Sequence, residues 1–416
     1  MDIDICERCM GRVVVLGGGV AGWGVLRALG GVAELERILV TADPSEPGCV
    51  SRYADRVLIS PHPGRDETAF VDFLLKRGPA WSGALLLETG DYFAEAVSRH
   101  KMELARYYRT AVADWPVLQR FLRKSGLAEL AASCGVRTPR SFPAGTVEEF
   151  QRAAVQVRYP CIVKPVESHR FVSRYGVKNF EVRTATELEV AWRRCEQDGL
   201  EVIVQEVIPG GDDRMERLHT YVTADGRLSA GLFHRKLRQH PPGFGVMRVG
   251  CSTLRNPEVE QLARRLLVAG GYRGFASVEF KRDPRDNQLH LIEINVRMPR
   301  SILLGVRAGL NFPLLIYRDL VEGRHLEETG YAVNTYWIEL MPELYYLLVR
   351  RGEESWTWQQ WIRPYLARRK VFGDWDWRDP RATLCQIRRG WRRHCSRPAG
   401  PSVEGRMQGS LAGAKF

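Results

Sequence analysis

"SVEFKRDPRDNQLHLIEINVR", Ser277 to Arg297, reads as two β-strands joined by a turn rich in Asp, Pro and Asn. With the turn centred on Asp286, residues equidistant from it face one another, and Glu279 falls opposite Glu293. Two carboxylates directly across a ladder repel. Strand alternation puts Glu293, Asn295 and Arg297 on one face and Ile292, Ile294 and Val296 on the other, toward a core. Opposed acids beside an amide oxygen are a donor set for a hard divalent cation such as Mg²⁺, which prefers oxygen and leaves positions for phosphates and water. The competing reading is a solvated strand face whose acids pair with Lys281 and Arg297.

Cations upstream bear on the choice. "YPCIVKP" (Tyr159–Pro165) ends an apolar strand on Lys164, a costly place for an ammonium unless an anion meets it. Lys124 lies within "VLQRFLRKSGLAELAASCG" (Val117–Gly135), read as one long helical stretch stopped by Gly135 and Pro139. His234, Lys236 and Arg238 alternate along a strand and so share a face. A second apolar strand, "EVIVQEVIPG" (Glu201–Gly210), ends in a polar turn at Gln205–Gly211. Separate cations together with a carboxylate pair suit a nucleoside triphosphate and Mg²⁺.

The N-terminus poses a rival reading. In "VVVLGGGVAGWG" (Val13–Gly24), Gly17, Gly19 and Gly22 keep the G-x-G-x-x-G spacing of a strand turning into a helix over a pyrophosphate, and Asp43 lies where a ribose-binding acid would be. The first 110 residues alternate strand and helix patterns, "RVVVLGG", "RILVTA", "DRVLIS" and "GALLLET", as in an open parallel sheet. Taken alone, the motif predicts an NAD(P)- or FAD-dependent oxidoreductase. No second nicotinamide-type signature follows it.

Across 416 residues, 44% hydrophobic and 26% charged content describes an ordinary globular chain of two or three domains. No apolar run suits a membrane span, the N-terminal "MDIDICERCMGR" is too acidic for a signal peptide, and nine scattered cysteines fit a reducing compartment, so the expected location is the cytoplasm. Cys6 and Cys9 form one C-x-x-C without a second pair at zinc spacing. From Arg350 onward, 15 Lys or Arg face 6 Asp or Glu, which accounts for most of the net charge of +12. Six of the eleven tryptophans lie there too. A nucleic-acid-binding region is one reading; an amphipathic helical subdomain with Trp inside and Arg outside is the favoured one.

Seven segments, in order, resemble ATP-grasp carboxylate-amine ligases, in particular the D-aspartate ligase-like branch: "LGGGVAGWGVLRALG", "LRKSGLAELAASCGVRTP", "YPCIVKP", "VQEVIPGGDD", "HRKLRQHPP", "VEFKRDPRD" and "IEINVRMPRS". The resemblance runs from about Gly17 to Pro380. It implies a mixed α/β and α+β chain with an ATP-grasp fold: a Rossmann-like pre-ATP-grasp domain over 1–112, an ATP-grasp domain over 113–325 (lid lobe about 140–207, C-terminal lobe about 208–325), a helical basic Trp-rich extension over 326–395 and a disordered tail over 396–416. By the same resemblance, Lys124 and Lys164 hold the α- and β-phosphates of ATP. Gln205, Glu206, Val207 and Ile208 read adenine, with Glu206 accepting from the exocyclic amine, and Asp212 or Asp213 lies near the ribose. Glu279, Glu293 and Asn295 hold Mg²⁺, with Mn²⁺ as an alternative ion. Arg297, facing the γ-phosphate and the tetrahedral intermediate, and Lys236 are the catalytic candidates. The implied reaction activates a carboxylate as an acyl phosphate and joins it to an amine, releasing ADP and phosphate. An amino acid or small peptide is the expected substrate, received by Arg297, Arg300 or the Ser51-Arg52-Tyr53 loop. Neither a membrane nor a nucleic acid is the expected partner, and the family admits a homodimer. The chain departs from the family in two places. The loop "ESHRFVSRYGVKNF" has Gly176 as its only glycine, leaving Ser168, Ser173 or Lys178 to cover the phosphates without an assigned catalytic role, and Val296 stands where relatives carry proline.

Overall fold

The computed structural model describes residues 11–166, 171, 174–177, 179–240, 245–324, 330–349 and 356–395, with side chains up to 390. Cys6, Cys9, Ser168, Ser173, Lys178, Trp391 and the tail 396–416 lie outside the described residues or side chains. The chain forms two compact units: 1–112 with 248–251 and 297–416, and 113–247 with 252–296. Residues 297–324 belong to the first of these units.

In the first unit, β1 (Gly11–Leu16), β2 (Leu35–Thr41), β3 (Arg56–Ile59), β4 (Ala84–Glu88) and β5 (Tyr108–Thr110) form a parallel sheet in the order β3-β2-β1-β4-β5. Its centre is the core: Val13 to Leu16, Ile38 to Val40 and Leu85 to Leu87 are sealed from solvent, the near-continuous apolar run expected of strands covered on both faces. Gly17 has a left-handed φ of 101°, and a Cβ at Gly22 would sit 1.8 Å from the Gly17 carbonyl oxygen. These two glycines let the helix Val20–Leu29 start hard against the end of β1. The turn they make is already met by an anion of the chain itself. The Glu46 carboxylate accepts from the Gly18 N–H at 2.7 Å and from the Thr41 hydroxyl at 2.6 Å. Asp43, the ribose-acid candidate, takes Arg389 at 2.8 Å and the Ser45 hydroxyl at 2.6 Å.

The second unit opens with the stretch expected to be one helix, and here the structure differs. It breaks into Trp115–Leu122 and Lys124–Ser133, with Arg123 extended between them. Gly126 is the reason the second helix can fold back, since a Cβ there would lie 3.0 Å from the Arg120 backbone. The break makes Lys124 the first residue of its helix, where the unpaired N–H groups and the macrodipole already favour an anion. Strands β6 (Ser141–Pro143), β7 (Cys161–Pro165), β8 (Phe180–Val182) and β9 (Val202–Glu206) form an antiparallel sheet, order β6-β9-β7-β8. Then β10 (Met215–Val222) pairs antiparallel with both β11 (Leu228–His240) and β13 (Gly274–Arg282), and β13 with β14 (Leu289–Asn295). The Asp225-Gly226 turn joins β10 to β11, with Gly226 at φ 87°.

The remainder of the first unit comprises residues 248–251 of β12 (Val246–Ser252) and the chain from Arg297 on, in which β15 (Tyr336–Ile338) runs antiparallel to β12 and parallel to β16 (Lys370–Phe372). Helices Leu340–Leu348, Trp358–Leu366 and Pro380–Cys395 belong to the same unit. Two expectations are corrected here. The Ser51-Arg52-Tyr53 loop, a candidate for receiving a substrate carboxylate, holds the chain's own: Ser51 Oγ donates to Asp379 at 2.5 Å, as does Trp23 Nε1 at 2.9 Å, and the Tyr53 hydroxyl donates to Asp376 at 3.2 Å. Nor are all the tryptophans inside. Trp337 is sealed from solvent, whereas Trp358 and Trp377 are 68% and 74% exposed, Trp358 stacking on Trp361 and Trp377 lying under the Arg378 guanidinium. Among the described residues no helix is long and apolar enough to cross a membrane.

Replacing Gly22 with Ala forces backbone against backbone, and we expect it to destabilise the first unit by about 1–3 kcal/mol. Thermal melting of the variant checks this, and an unchanged midpoint would mean that the turn tolerates a side chain.

Candidate active site

The polar face of β10, β11, β13 and β14 is built row by row. Arg217 of β10 stands between His234 of β11 and Glu279 of β13, and Glu279 stands opposite Glu293 of β14. The next row places His219 beside Ser277, which faces Asn295. A bulge after Glu279 then shifts the register, so that Phe280 meets Leu291, one residue short of the partner equidistant from the turn. The facing carboxylates therefore sit just on the regular side of an irregularity, a device that re-aims side chains.

Glu279 is 2% exposed. Arg217 Nη2 donates to Oε1, and Lys236 Nζ lies 2.9 Å from Oε2. Burial by itself would raise this carboxyl; the Arg217 and Lys236 charges overcome it and hold the group down at about 2. Glu293, open to solvent, is shifted the other way: the Glu279 charge pushes its carboxyl above the ordinary range. Asn295 lies between the acids, its amide donating to Glu293 Oε1 at 2.8 Å and approaching Glu279 Oε1 at 3.5 Å. One acid is thus held in its ionised form, and its charge raises the carboxyl of its neighbour. A half turn of the Asn295 amide would offer Oδ1 in place of Nδ2, and the three residues would then present only oxygen, the donor chemistry that Mg²⁺ requires.

Lys236 and Lys281 extend the charged face. Lys236 Nζ also donates to Gln239 Oε1 at 3.3 Å, and Gln239 Nε2 donates to Asp212 Oδ1 at 2.7 Å. The Lys281 ammonium is lowered by desolvation, against the pull of Asp212, Asp213 and Asp283. His234, Lys236 and Arg238 do share a buried face. His234 is no cation there, because burial and then Arg217 drive its imidazole far below its ordinary value, and it packs edge-on against His219, likewise lowered by burial, at 4.2 Å.

The two phosphate-binding candidates also lie in this unit. Lys164, at the end of β7, donates to Gln205 Oε1 at 3.3 Å. Lys124 Nζ donates to the Pro165 carbonyl at 2.9 Å. Although Lys124 is accessible, desolvation and then the Lys164 charge bring its ammonium down to about 8, with Glu293 pulling the other way. Lys124, Lys164 and Glu293 are therefore within electrostatic reach of one another. Glu206 is engaged at one carboxylate oxygen by the Arg158 N–H at 3.1 Å and by Arg140 at 3.5 Å, while the Val207 N–H goes to the Pro160 carbonyl at 3.2 Å and Ile208 is buried. Arg297 and Arg300 belong to the first unit, where Arg297 Nε donates to Asp91 at 3.1 Å and Arg300 pairs with Glu339. A further group close enough to share an ion, Asp283, Asp286 and His290, has its acids met by Arg285 and Arg137.

Sequence reasoning missed Arg217. The signal was present in "MERLHTYV", where Arg217, His219 and Tyr221 alternate with Leu218 and Val222; only the register shows that the arginine meets Glu279.

No family model matches the chain. The D-aspartate ligase of Enterococcus faecium (strain Aus0004) is 26% identical over 333 residues, 75% of this chain and 79% of that protein. Among solved structures, N5-carboxyaminoimidazole synthetase from Staphylococcus aureus, complexed with ADP, aligns with a TM-score of 0.63 at 15% identity over 81% of this chain and 84% of that one. L-amino acid ligase from Bacillus licheniformis aligns at 0.56 and 16% identity over 76% and 75%. The resemblance to ATP-grasp carboxylate-amine ligases is borne out, as is the expectation of an enzyme of the C–N ligase type.

Glu279, folded at about 2 against an ordinary 4.5, contributes stability that is complete above the ordinary carboxylate range and is lost as pH falls from about 4.5 to about 2. Arg217→Met removes its main counter-charge. In EDTA we expect a loss of about 3–5 kcal/mol at pH 7 and an acid limb of the melting profile moved to higher pH; an unmoved limb would show that Lys236 alone holds the carboxylate.

Proposed function

We propose that the chain is an ATP-dependent ligase that phosphorylates a substrate carboxylate and lets an amine displace the phosphate, forming an amide or peptide bond with release of ADP and phosphate. The observation that carries this reading is the opposed pair on β13 and β14, Glu279 held ionised and Glu293 lifted by it, with Lys124 and Lys164 in electrostatic reach. Such a pair is unfavourable unless a cation joins it, and cations opposite an acid pair are the environment that a metal-bound polyphosphate needs.

In this reading Lys124 and Lys164 bind the α- and β-phosphates, and the segment Gln205 to Ile208 receives adenine, chiefly through its backbone because Glu206 is already engaged. Asp212 and Asp213 lie toward the ribose. Glu279, Glu293 and Asn295 would hold Mg²⁺, which when bound neutralises charge on the phosphoryl oxygens. Lys236, gripping Glu279 and Gln239, first keeps that carboxylate ionised and in place. Arg297 is assigned to the charge that develops on the transferring group and the tetrahedral intermediate. Positioning supplies most of the rate, since an acyl phosphate is reactive once shielded from water. The ATP-grasp domain is assigned to 113–325, the Rossmann-like domain to 1–112 and a helical extension to 326–395. An amino acid or small peptide is the substrate class, in keeping with the names of the relatives. The oxidoreductase reading is disfavoured, because Glu46 meets the Gly18 N–H that a pyrophosphate would use.

The test is ADP release measured across a panel of acids and amines, which should require one of each together with ATP and Mg²⁺. Glu293→Gln should cut turnover by at least about a hundredfold and abolish Mg²⁺-dependent thermal stabilisation while the fold persists; near-native turnover in that variant would remove the acid pair from the mechanism. Lys124 makes a separate prediction. Its ammonium titrates at about 8 when free and rises when a phosphate meets it, so nucleotide affinity should fall as pH climbs through about 8, by up to about tenfold per pH unit. Lys124→Arg should flatten that profile, and an identical profile in the two proteins would assign the titration elsewhere.

A further inference from the structure

We propose a second ligand site, in the first unit, for an organic mono- or diphosphate. It is a concave surface of about 1040 Å³ bordered by Arg307, Arg363, Arg368 and Arg369, with Tyr336 and Ile362 among its walls. Its residues come from the end of the helix Ile302–Ala308, from β15, from the helix Trp358–Leu366 and from the turn leading into β16.

Charge is the first argument. All four guanidinium-bearing residues are exposed, and among the described residues no carboxylate lines the surface and none of the four arginines pairs with an acid. Several other arginines of the chain are each met by an acid: Arg27 by Asp376, Arg37 by Asp55, Arg248 by Glu343 and Arg300 by Glu339. Four like charges around one concavity repel until an anion enters. A single carboxylate would leave most of that charge unmet, whereas a phosphate dianion or diphosphate matches it, and the planar guanidinium fork suits phosphate oxygens.

Positioning is the second. Arg307 Nη2 and Nε donate to the carbonyls of Arg368 and Lys370 at 3.2 and 3.3 Å, which fixes the turn that carries Arg368 and Arg369. Tyr336, whose ring is buried, lies within electrostatic reach of Arg363. Size is the third. The volume lies at the upper end of the range for small-molecule sites, too large for inorganic phosphate alone, and Ile362, Leu366 and Ala367 supply an apolar wall for an organic body.

The site is independent of the ligase reading, and the test separates them. Calorimetric titration of the full chain at constant ionic strength uses inorganic pyrophosphate, phenyl phosphate and benzoate, the last carrying the same ring on a carboxylate. The expected result is binding of pyrophosphate and phenyl phosphate, but not benzoate, that persists when Lys164→Met disables the phosphate contacts of the ligase reading and is at least about tenfold weaker in Arg363→Glu/Arg368→Glu. Because both mutated residues are exposed, the melting temperature of the double variant should match the parent; Arg307 is left intact for its backbone contacts. The proposal is overturned if neither phosphate binds, if the double variant binds as the parent does, if Lys164→Met abolishes binding, or if benzoate binds as tightly as phenyl phosphate. It is equally overturned if a single-stranded oligonucleotide binds more tightly than pyrophosphate, with affinity falling steeply with salt, which would make the surface a nucleic-acid contact.

Discussion

The repulsion between Glu279 and Glu293 is the constraint on which the candidate site depends. Two carboxylates across an antiparallel ladder are unfavourable, and a protein that keeps them must either neutralise one or supply a cation. This chain answers asymmetrically. Arg217 and Lys236 commit Glu279 to its charge inside the sheet, while Glu293, at the solvent side, bears the resulting repulsion. The arrangement holds one ligand rigid and leaves the other ready to respond. Gln239, Asp212 and Lys281 continue the same network, so the polar face behaves as one electrostatic unit in place of a set of separate surface ions.

The glycine turn shows how one local motif can serve two ends. A strand, a left-handed Gly17 and a helix packed on Gly22 describe a nucleotide-binding turn as well as they describe this one. The difference is Glu46, which brings a carboxylate to the N–H groups that a pyrophosphate would otherwise take. In the same unit Asp376 and Asp379 gather Arg27, Trp23, Ser51 and Tyr53. A loop that looked suited to a substrate carboxylate is occupied by the chain's own acids, while among the described residues the four arginines near β16 have none.

Much of the architecture was legible. Apolar runs such as Val13–Leu16 and Leu85–Leu87 announce parallel strands because both their faces are covered, and the hairpin of β13 and β14 follows from strand alternation and one turn. The opposed glutamates were legible for the same reason, since period-two geometry needs only a turn centre. The bulge after Glu279, the break at Arg123 and the exposure of Trp358 and Trp377 were not. Each depends on what packs nearby: Gly126 on the Arg120 backbone, one indole on another, a guanidinium over a ring.

The linear order of residues determined by itself where the longer apolar strands run, that two acids face each other across a turn, and that Lys164 ends an apolar strand, because these follow from short-range periodicity. Tertiary structure alone decided that Arg217 and Lys236 hold Glu279, that His234 is neutral, that Glu46 meets the glycine turn and that Arg307, Arg363, Arg368 and Arg369 surround one hollow. Those pairings join residues tens of positions apart, and the balance of burial and charge that sets them exists only once the strands and helices have brought them into contact.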